Sequence, residues 1–273
     1  MELSALPTEL LDQIAGYFIP TMHSDPHPNN PGPDIAACRR TLLLLARMNK
    51  RLNAVAVRHL YHTVFIDDLR RLFTFLGTII FDDYLASRVR VLNIFTSLDA
   101  QDLDFHTGGQ SELKIARITP NMKAYQYLGR CFGDFTHPRD LMRANCAEYP
   151  QSACALLLCL VEGMEHLYLR VPTWNLGDCR TLSDFFERSC RDSHLNFVPR
   201  LSSLSLIADP EIDNPTLGSG MPQHFLGSGA IRHLEIYGAC LLIDEGGFDQ
   251  PFLPARWSSL ETVRLSLVCM SGH

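Results

Sequence analysis

The chain has no long hydrophobic run. Its longest, Ala153–Val161, is nine residues, whereas a membrane-spanning helix needs about 20, so no membrane partner is expected. It has no excess of positive charge: 24 lysines and arginines face 30 aspartates and glutamates, a formal net charge of −6. A general binder of nucleic acid or of anionic membrane carries the opposite imbalance. It has no Cys-x-x-Cys, and its cysteines are odd in number, nine. Several, such as Cys154 and Cys159, sit in apolar runs, which fits reduced, buried thiols rather than a disulfide framework. Glu2, Glu9 and Asp12 stand where a secretory signal would place a basic and then an apolar stretch, so none is visible. The expected compartment is intracellular, cytoplasmic or nuclear.

The signatures of covalent chemistry are missing as well. No Gly-x-Gly-x-x-Gly and no phosphate-cradling Gly-Lys-Ser/Thr occurs. Gly218-Ser219-Gly220 and Gly227-Ser228-Gly229 flank a loop instead of a strand-to-helix turn, so neither forms a nucleophile elbow. His23-x-x-x-His27 and His59-x-x-His62 lack a second pair of ligands at matching spacing. Asp244 and Glu245 precede Gly246-Gly247 and read as a turn. No catalytic residue, metal ligand or cofactor is assigned, and the chain is not read as an enzyme.

What is present is ordinary globular material. Hydrophobic residues make up 46% and charged residues 20% of 273 positions, enough for one large domain or a small one and a medium one. Leu6-Pro7-Thr8-Glu9 opens a helix, with Thr8 placed to cap it and Glu9 in the first turn, where the helix dipole favours negative charge. Leu10, Leu11, Ile14 and Phe18 follow on one helical face. Pro26, Pro28, Pro31 and Pro33 then mark residues 21–40 as an exposed loop. From about Cys38 the pattern is helical again. Leu42–Leu45 are apolar all round, as in a fully buried helix, and Asn49 ends one helix or caps the next. Leu52, Val55, Ala56 and Leu60 keep helical spacing, and Thr63–Ile66 reads as a short strand or an extended exit. Between Ile35 and Ile66 there is no Asp or Glu, while Arg39, Arg40, Arg47, Lys50, Arg51 and Arg58 are basic. That is either a solvated face or a surface matched to an acidic partner.

Leu6-Pro7-x-Glu9-Leu10-Leu11-x-x-Ile14 resembles the opening of an F-box, and Met48-Asn49-Lys50-Arg51-Leu52-x-x-Val55-Ala56 resembles its middle. Leu60-Tyr61-x-Thr63-Val64-x-Ile66 is similar to the close of many F-box proteins of filamentous fungi. The resemblance covers about a quarter of the chain and departs from the family pattern by the proline-rich insertion. It implies docking on the Skp-family adaptor of a cullin ubiquitin ligase. By motif position the adaptor-binding residues are Leu6, Pro7, Leu10, Leu11, Ile14, Leu45, Met48 and Leu52. Some of these must pack the module's own core, and sequence does not separate the two sets.

Beyond residue 66, Asp67 and Asp68 precede a helix with Leu69, Leu72, Phe73, Leu76 and Ile80 on one face. Val89-x-x-Leu92-x-Ile94 follows. Its form recurs as Met164-x-x-Leu167-x-Leu169, Leu201-x-x-Leu204-x-Leu206, Ile231-x-x-Leu234-x-Ile236 and Leu260-x-x-Val263-x-Leu265, resembling the strand core of leucine-rich repeats. Leu, Ile, Val and Met fill 73 of 273 positions, so about five such matches arise by chance and the form alone decides nothing. The spacing says more: first residues at 164, 201, 231 and 260 give steps of 37, 30 and 29. Helical segments at Gln151–Val161 and Leu182–Cys190 fall between strands, with Thr181-x-x-Asp184 as a capping box for the second. Residues 98–150 are irregular, with a degenerate repeat near Met122–Phe132 or a plain insertion.

The expected architecture is α/β. A helical F-box-like module spans 1–66, with its Pro-rich insertion at 21–40, and an αβ leucine-rich-repeat-like solenoid spans 67–273. An α/β domain of another topology is the alternative. The last motif lies eight residues from the final one, without the polar cap a solenoid needs, so the repeat array is expected to be incomplete there. The expected function is substrate recognition for a Skp-cullin-F-box ligase with an unknown protein target; Trp174 and Trp257 either pack in the core or are the candidate contacts to that target. The alternative is a free-standing repeat scaffold without a ligase.

Overall fold

All five Leu-x-x-Leu-x-Leu-type motifs lie in one parallel sheet. In a computed structural model the described residues are 6–19, 33–80, 82–95, 149–171, 198–208, 216–217, 231–238, 240–242, 259–266 and 269–271. Residues 21–32 of the expected loop 21–40, residues 98–148 of the irregular stretch 98–150 with its Met122–Phe132 repeat, and the helix Leu182–Cys190 lie outside them. The chain is a mixed α/β protein. The strands are β1 (Thr63–Ile66), β2 (Val91–Ile94), β3 (His166–Val171), β4 (Ser203–Ala208), β5 (Thr216–Leu217), β6 (His233–Tyr237), β7 (Cys240–Leu242), β8 (Thr262–Ser266) and β9 (Cys269–Ser271). The larger sheet has six parallel strands in the order β1-β2-β3-β4-β6-β8, and a smaller one runs β5-β7-β9.

The motif explains the register. Val64, Leu92, Leu167, Leu204, Leu234 and Val263 stand abreast across the large sheet, and Ile66, Ile94, Leu169, Leu206, Ile236 and Leu265 form the next row. Side chains two apart on a strand share a face, so both rows fall on one side. Exposure in both rows is at most 7% until the final strand, where Val263 is 50% and Leu265 45% exposed. The first motif residues Val89, Met164, Leu201 and Ile231 are buried beneath them. Each strand entrance repeats one geometry. The carbonyls of His62, Arg90, Glu165, Ser202 and Arg232 each accept two backbone N–H bonds from the next strand's entrance, at 2.8–3.1 Å. Gly238, at φ 70°, links β6 to β7 in a conformation that favours glycine, and its N–H donates to the Ser266 carbonyl at 2.9 Å.

Helices cover the apolar rows at the β1 side. α1 (Thr8–Gly16), α2 (Pro33–Met48) and α3 (Lys50–Leu60) precede β1; α4 (Leu69–Ile79) and α5 (Asp83–Arg88) lie between β1 and β2; α6 (Tyr149–Leu160) precedes β3. Asp68 caps α4 by accepting from the Arg71 N–H, and Leu69, Leu72, Leu76 and Ile79 are buried against the sheet core. α6 packs beside α4 and is apolar on every side, from Ala153 to Cys159 at most 5% exposed. Pro150 sits in its first turn, where a missing N–H is harmless. Among the described residues, no helix is long and apolar enough to cross a membrane.

The first three helices have a separate core of Leu11, Ala15, Leu42, Leu52, Val55 and Ala56, flanked by Leu6, Phe18, Leu45, Ala46 and Leu60. Asn49 caps α3 by accepting from the Leu52 N–H at 2.8 Å. Three local expectations need correction. Thr8 does not cap α1: Pro7 occupies the cap position, and the Thr8 hydroxyl accepts from the Arg51 guanidinium at 3.0 and 3.3 Å. α2 begins at Pro33, so residues 33–40 are helix and not loop; proline's fixed φ suits the first helical position. Leu42–Leu45 are not buried all round. Successive helix residues turn about 100°, so Leu42 is buried in the core and Leu45 packs against its edge, while Leu43 is 39% and Leu44 57% exposed.

Candidate interaction surfaces

The eight residues assigned to adaptor docking separate by burial. Leu11 and Leu52 lie in the helical core at 2% and 3% exposure. Leu6 and Leu45 flank that core, and Ile14 is half-buried. Pro7 is exposed, as are Leu10 at 44% and Met48 at 61%. The exposed apolar surface also includes Leu44, one turn before Met48 on the same face of α2. Sequence reading missed Leu43 and Leu44 by taking the leucine run as core; their signal was that four adjacent leucines cannot all face one neighbour. Trp174 and Trp257 lie outside the described residues.

Around this apolar surface the helices are basic. Arg39, Arg40, Arg47, Lys50 and Arg51 are exposed. α1 is pinned to α3 by polar contacts: Asp12 meets the His59 Nε2 at 3.1 Å and the Arg58 guanidinium at 3.8 Å. The helices also touch the sheet, since Ile35 of α2 packs against a cluster of Phe65, Phe95 and Ile207.

On the sheet face opposite the apolar rows, Phe65 at the β1 edge is followed by a polar row: Asn93, Tyr168, Ser205, Glu235 and Arg264. Glu235 accepts from the Ser205 hydroxyl at 3.0 Å and the Tyr237 hydroxyl at 3.1 Å, and pairs with Arg264 at 3.2 Å. Burial and then the Glu235 charge push the Tyr168 and Tyr237 phenols above their ordinary range. Asn93 is fully buried; its amide donates to the Val64 carbonyl at 3.1 Å, while its Oδ1 has no partner among the described residues.

A cleft of about 280 Å³ opens where the helical module meets the strand entrances, lined by Asp12, Arg58, His59, His62, Arg88, Arg90 and Glu165. Arg90 is firmly held: its Nη1 donates to the carbonyls of Gly163 at 2.8 Å, Ser87 at 2.9 Å and Val89 at 3.3 Å, and its Nε lies 3.4 Å from Glu165. Arg88 stacks over the Tyr84 ring at 4.6 Å. His62 shares a hydrogen bond with the Thr63 hydroxyl at 3.2 Å. Burial, then the charges of Arg90 and His59, lower its pKa. No motif announced this cleft. Its trace in the sequence is the second motif position, occupied by Arg90, Glu165, Ser202, Arg232 and Glu261, where neighbouring strands pair Arg90 with Glu165 and Arg232 with Glu261 at 3.6 Å.

Among the described residues, no three His, Cys, Asp or Glu gather as metal ligands. His59 is engaged by Asp12, and His23, His27, Asp244, Glu245 and the two Gly-Ser-Gly stretches lie outside the described residues. Cys154 and Cys159 are buried and Cys38 is half-buried; burial raises the Cys154 pKa to about 12. Compared with family models, with curated proteins and with solved structures, the chain matches none.

Proposed function

We propose that the chain is a substrate-recognition subunit of a Skp-cullin-F-box ubiquitin ligase. The N-terminal helices dock the Skp-family adaptor, and the strand-repeat region, read as a leucine-rich-repeat-like solenoid, holds a protein target. The observation that carries this reading is the separation of roles within the helical module. Leu11, Leu42, Leu52 and Val55 close its own core, while Leu10, Leu44 and Met48 remain outward. Apolar side chains grouped on a helix face are characteristic of a surface that a partner covers. The acid-free run from Ile35 to Ile66 supplies a basic surround that suits an acidic partner and speeds encounter. The opening, middle and closing segments that resemble an F-box coincide with α1, the α2–α3 junction and the α3–β1 exit.

One observation favours the second reading, a repeat scaffold whose N-terminal helices only cap the sheet. β1 pairs with β2 and Ile35 packs on the sheet cluster, so the helices and the sheet are continuous. The two readings part in a pull-down of a Skp-family adaptor. The ligase reading requires capture by the wild type and loss in Leu44→Asp/Met48→Asp; no capture by the folded wild type would sink it. Leu11→Asp is a poor probe, because Leu11 is core and its replacement unfolds the module.

A further inference from the structure

We propose that the cleft between α1, α3 and the strand entrances binds a small free oxyanion of the phosphate class. Three guanidiniums line it, from α3, from the end of α5 and from the entrance of β2, against the two carboxylates Asp12 and Glu165. The local balance is therefore positive in a chain whose net charge is −6. The carboxylates do not satisfy all three arginines. Glu165 serves Arg90. Asp12 is shared between His59 and a more distant Arg58. Arg88 has the Tyr84 ring but no carboxylate among the described residues. The Nε atoms of both Arg58 and Arg88 are shielded from water and have no hydrogen-bond partner among the described residues. Shielded polar groups are almost always paired in native proteins, so these two guanidiniums are short of an acceptor. The planar guanidinium fork matches the oxygens of a phosphate or sulfate. The volume, about 280 Å³, is ample for a phosphate or sulfate ion. An anion held there links the helical module to the β2–β3 entrance, so its binding stabilises the seam.

The test uses the full chain and inorganic phosphate, titrated by calorimetry at ionic strength held constant with chloride, with the thermal transition followed in parallel. Saturable one-site binding is expected, with a rise in Tm that chloride does not reproduce and sulfate does. A charge-assisted hydrogen bond corresponds to a factor of roughly ten to a hundred in affinity, so Arg88→Gln and Arg58→Gln should each weaken binding about tenfold or more. Arg232→Gln, at the β4–β6 entrance, should leave it unchanged. Should Arg58→Gln lose its native circular dichroism, the half-buried Arg88 decides alone. Absence of saturable binding, or wild-type affinity in Arg88→Gln, overturns the proposal. Phosphoserine binding tighter than inorganic phosphate overturns the free-anion assignment and moves the source to a phosphorylated side chain.

Discussion

Replacing Gly163 by alanine is expected to eject Arg90 from its seat. A Cβ at Gly163 would lie 2.1 Å from the Arg90 Nη1, 3.2 Å from its Cζ and 3.0 Å from the Ser87 carbonyl oxygen. The arginine is the part that can move, but it is tied down by three carbonyls and by Glu165. Nη1 has two protons for those three acceptors, so about two full bonds are at stake. Each charge-assisted bond contributes about 1.5–3 kcal/mol, and rehydration of the released groups recovers part, which puts the loss near 2–4 kcal/mol. Urea denaturation of the wild type and variant measures it, with coincident fluorescence and circular dichroism transitions as the two-state check. A cycle with Arg90→Ala isolates the cause. Once the arginine is gone, only the Ser87 contact opposes the new methyl, and Gly163→Ala should then destabilise by less than about 1 kcal/mol. An equal loss in both backgrounds, or none in the wild type, would refute the steric reasoning.

Other outcomes follow from burial. Leu11→Ala should destabilise by about 2–4 kcal/mol, as buried leucine truncations do, while its neighbour Leu10→Ala should stay within about 0.5 kcal/mol; chemical denaturation compares the pair. Leu204→Ala, in the middle of an apolar row at 0% exposure, should lose about 2–5 kcal/mol, whereas Val263→Ala, in the same row but half exposed, should lose under about 1 kcal/mol. Cys154 contributes a pH dependence. Its pKa is raised from 9.0 to about 12, so the native state keeps a proton that the unfolded state releases. Stability is then fully present below pH 9 and falls as pH rises toward 12, by at most about 1.4 kcal/mol per unit. Cys154→Ala should flatten that slope in stability measured from pH 8 to 11.

The sheet was largely legible because its motif is physical. An apolar residue at alternate positions, returning at 30 and 29 residues, places the same side chains abreast in neighbouring strands, as Leu204, Leu234 and Val263 are. β5, β7 and β9 were not legible: strands of two or three residues carry no period. The helical module was read with its caps partly misplaced. Asn49 acts as the sequence suggests, but Thr8 meets Arg51, forty-three residues away, and no local pattern encodes that choice. The leucine run was over-read as core because composition does not reveal how many neighbours a helix has. The cleft was invisible for a related reason, since Asp12, Arg58, Arg88 and Glu165 come from four elements or junctions brought together only by folding.

The most direct measurement is the affinity of a purified Skp-family adaptor for the purified full chain, by calorimetry, alongside Leu10→Asp and Leu44→Asp/Met48→Asp. These side chains are 44%, 57% and 61% exposed, so the variants should keep their thermal transitions. Specific binding by the wild type, weakened at least tenfold in each variant, is the expected result. A folded wild type that does not bind, or variants that bind as well as it does, would contradict adaptor docking through this surface.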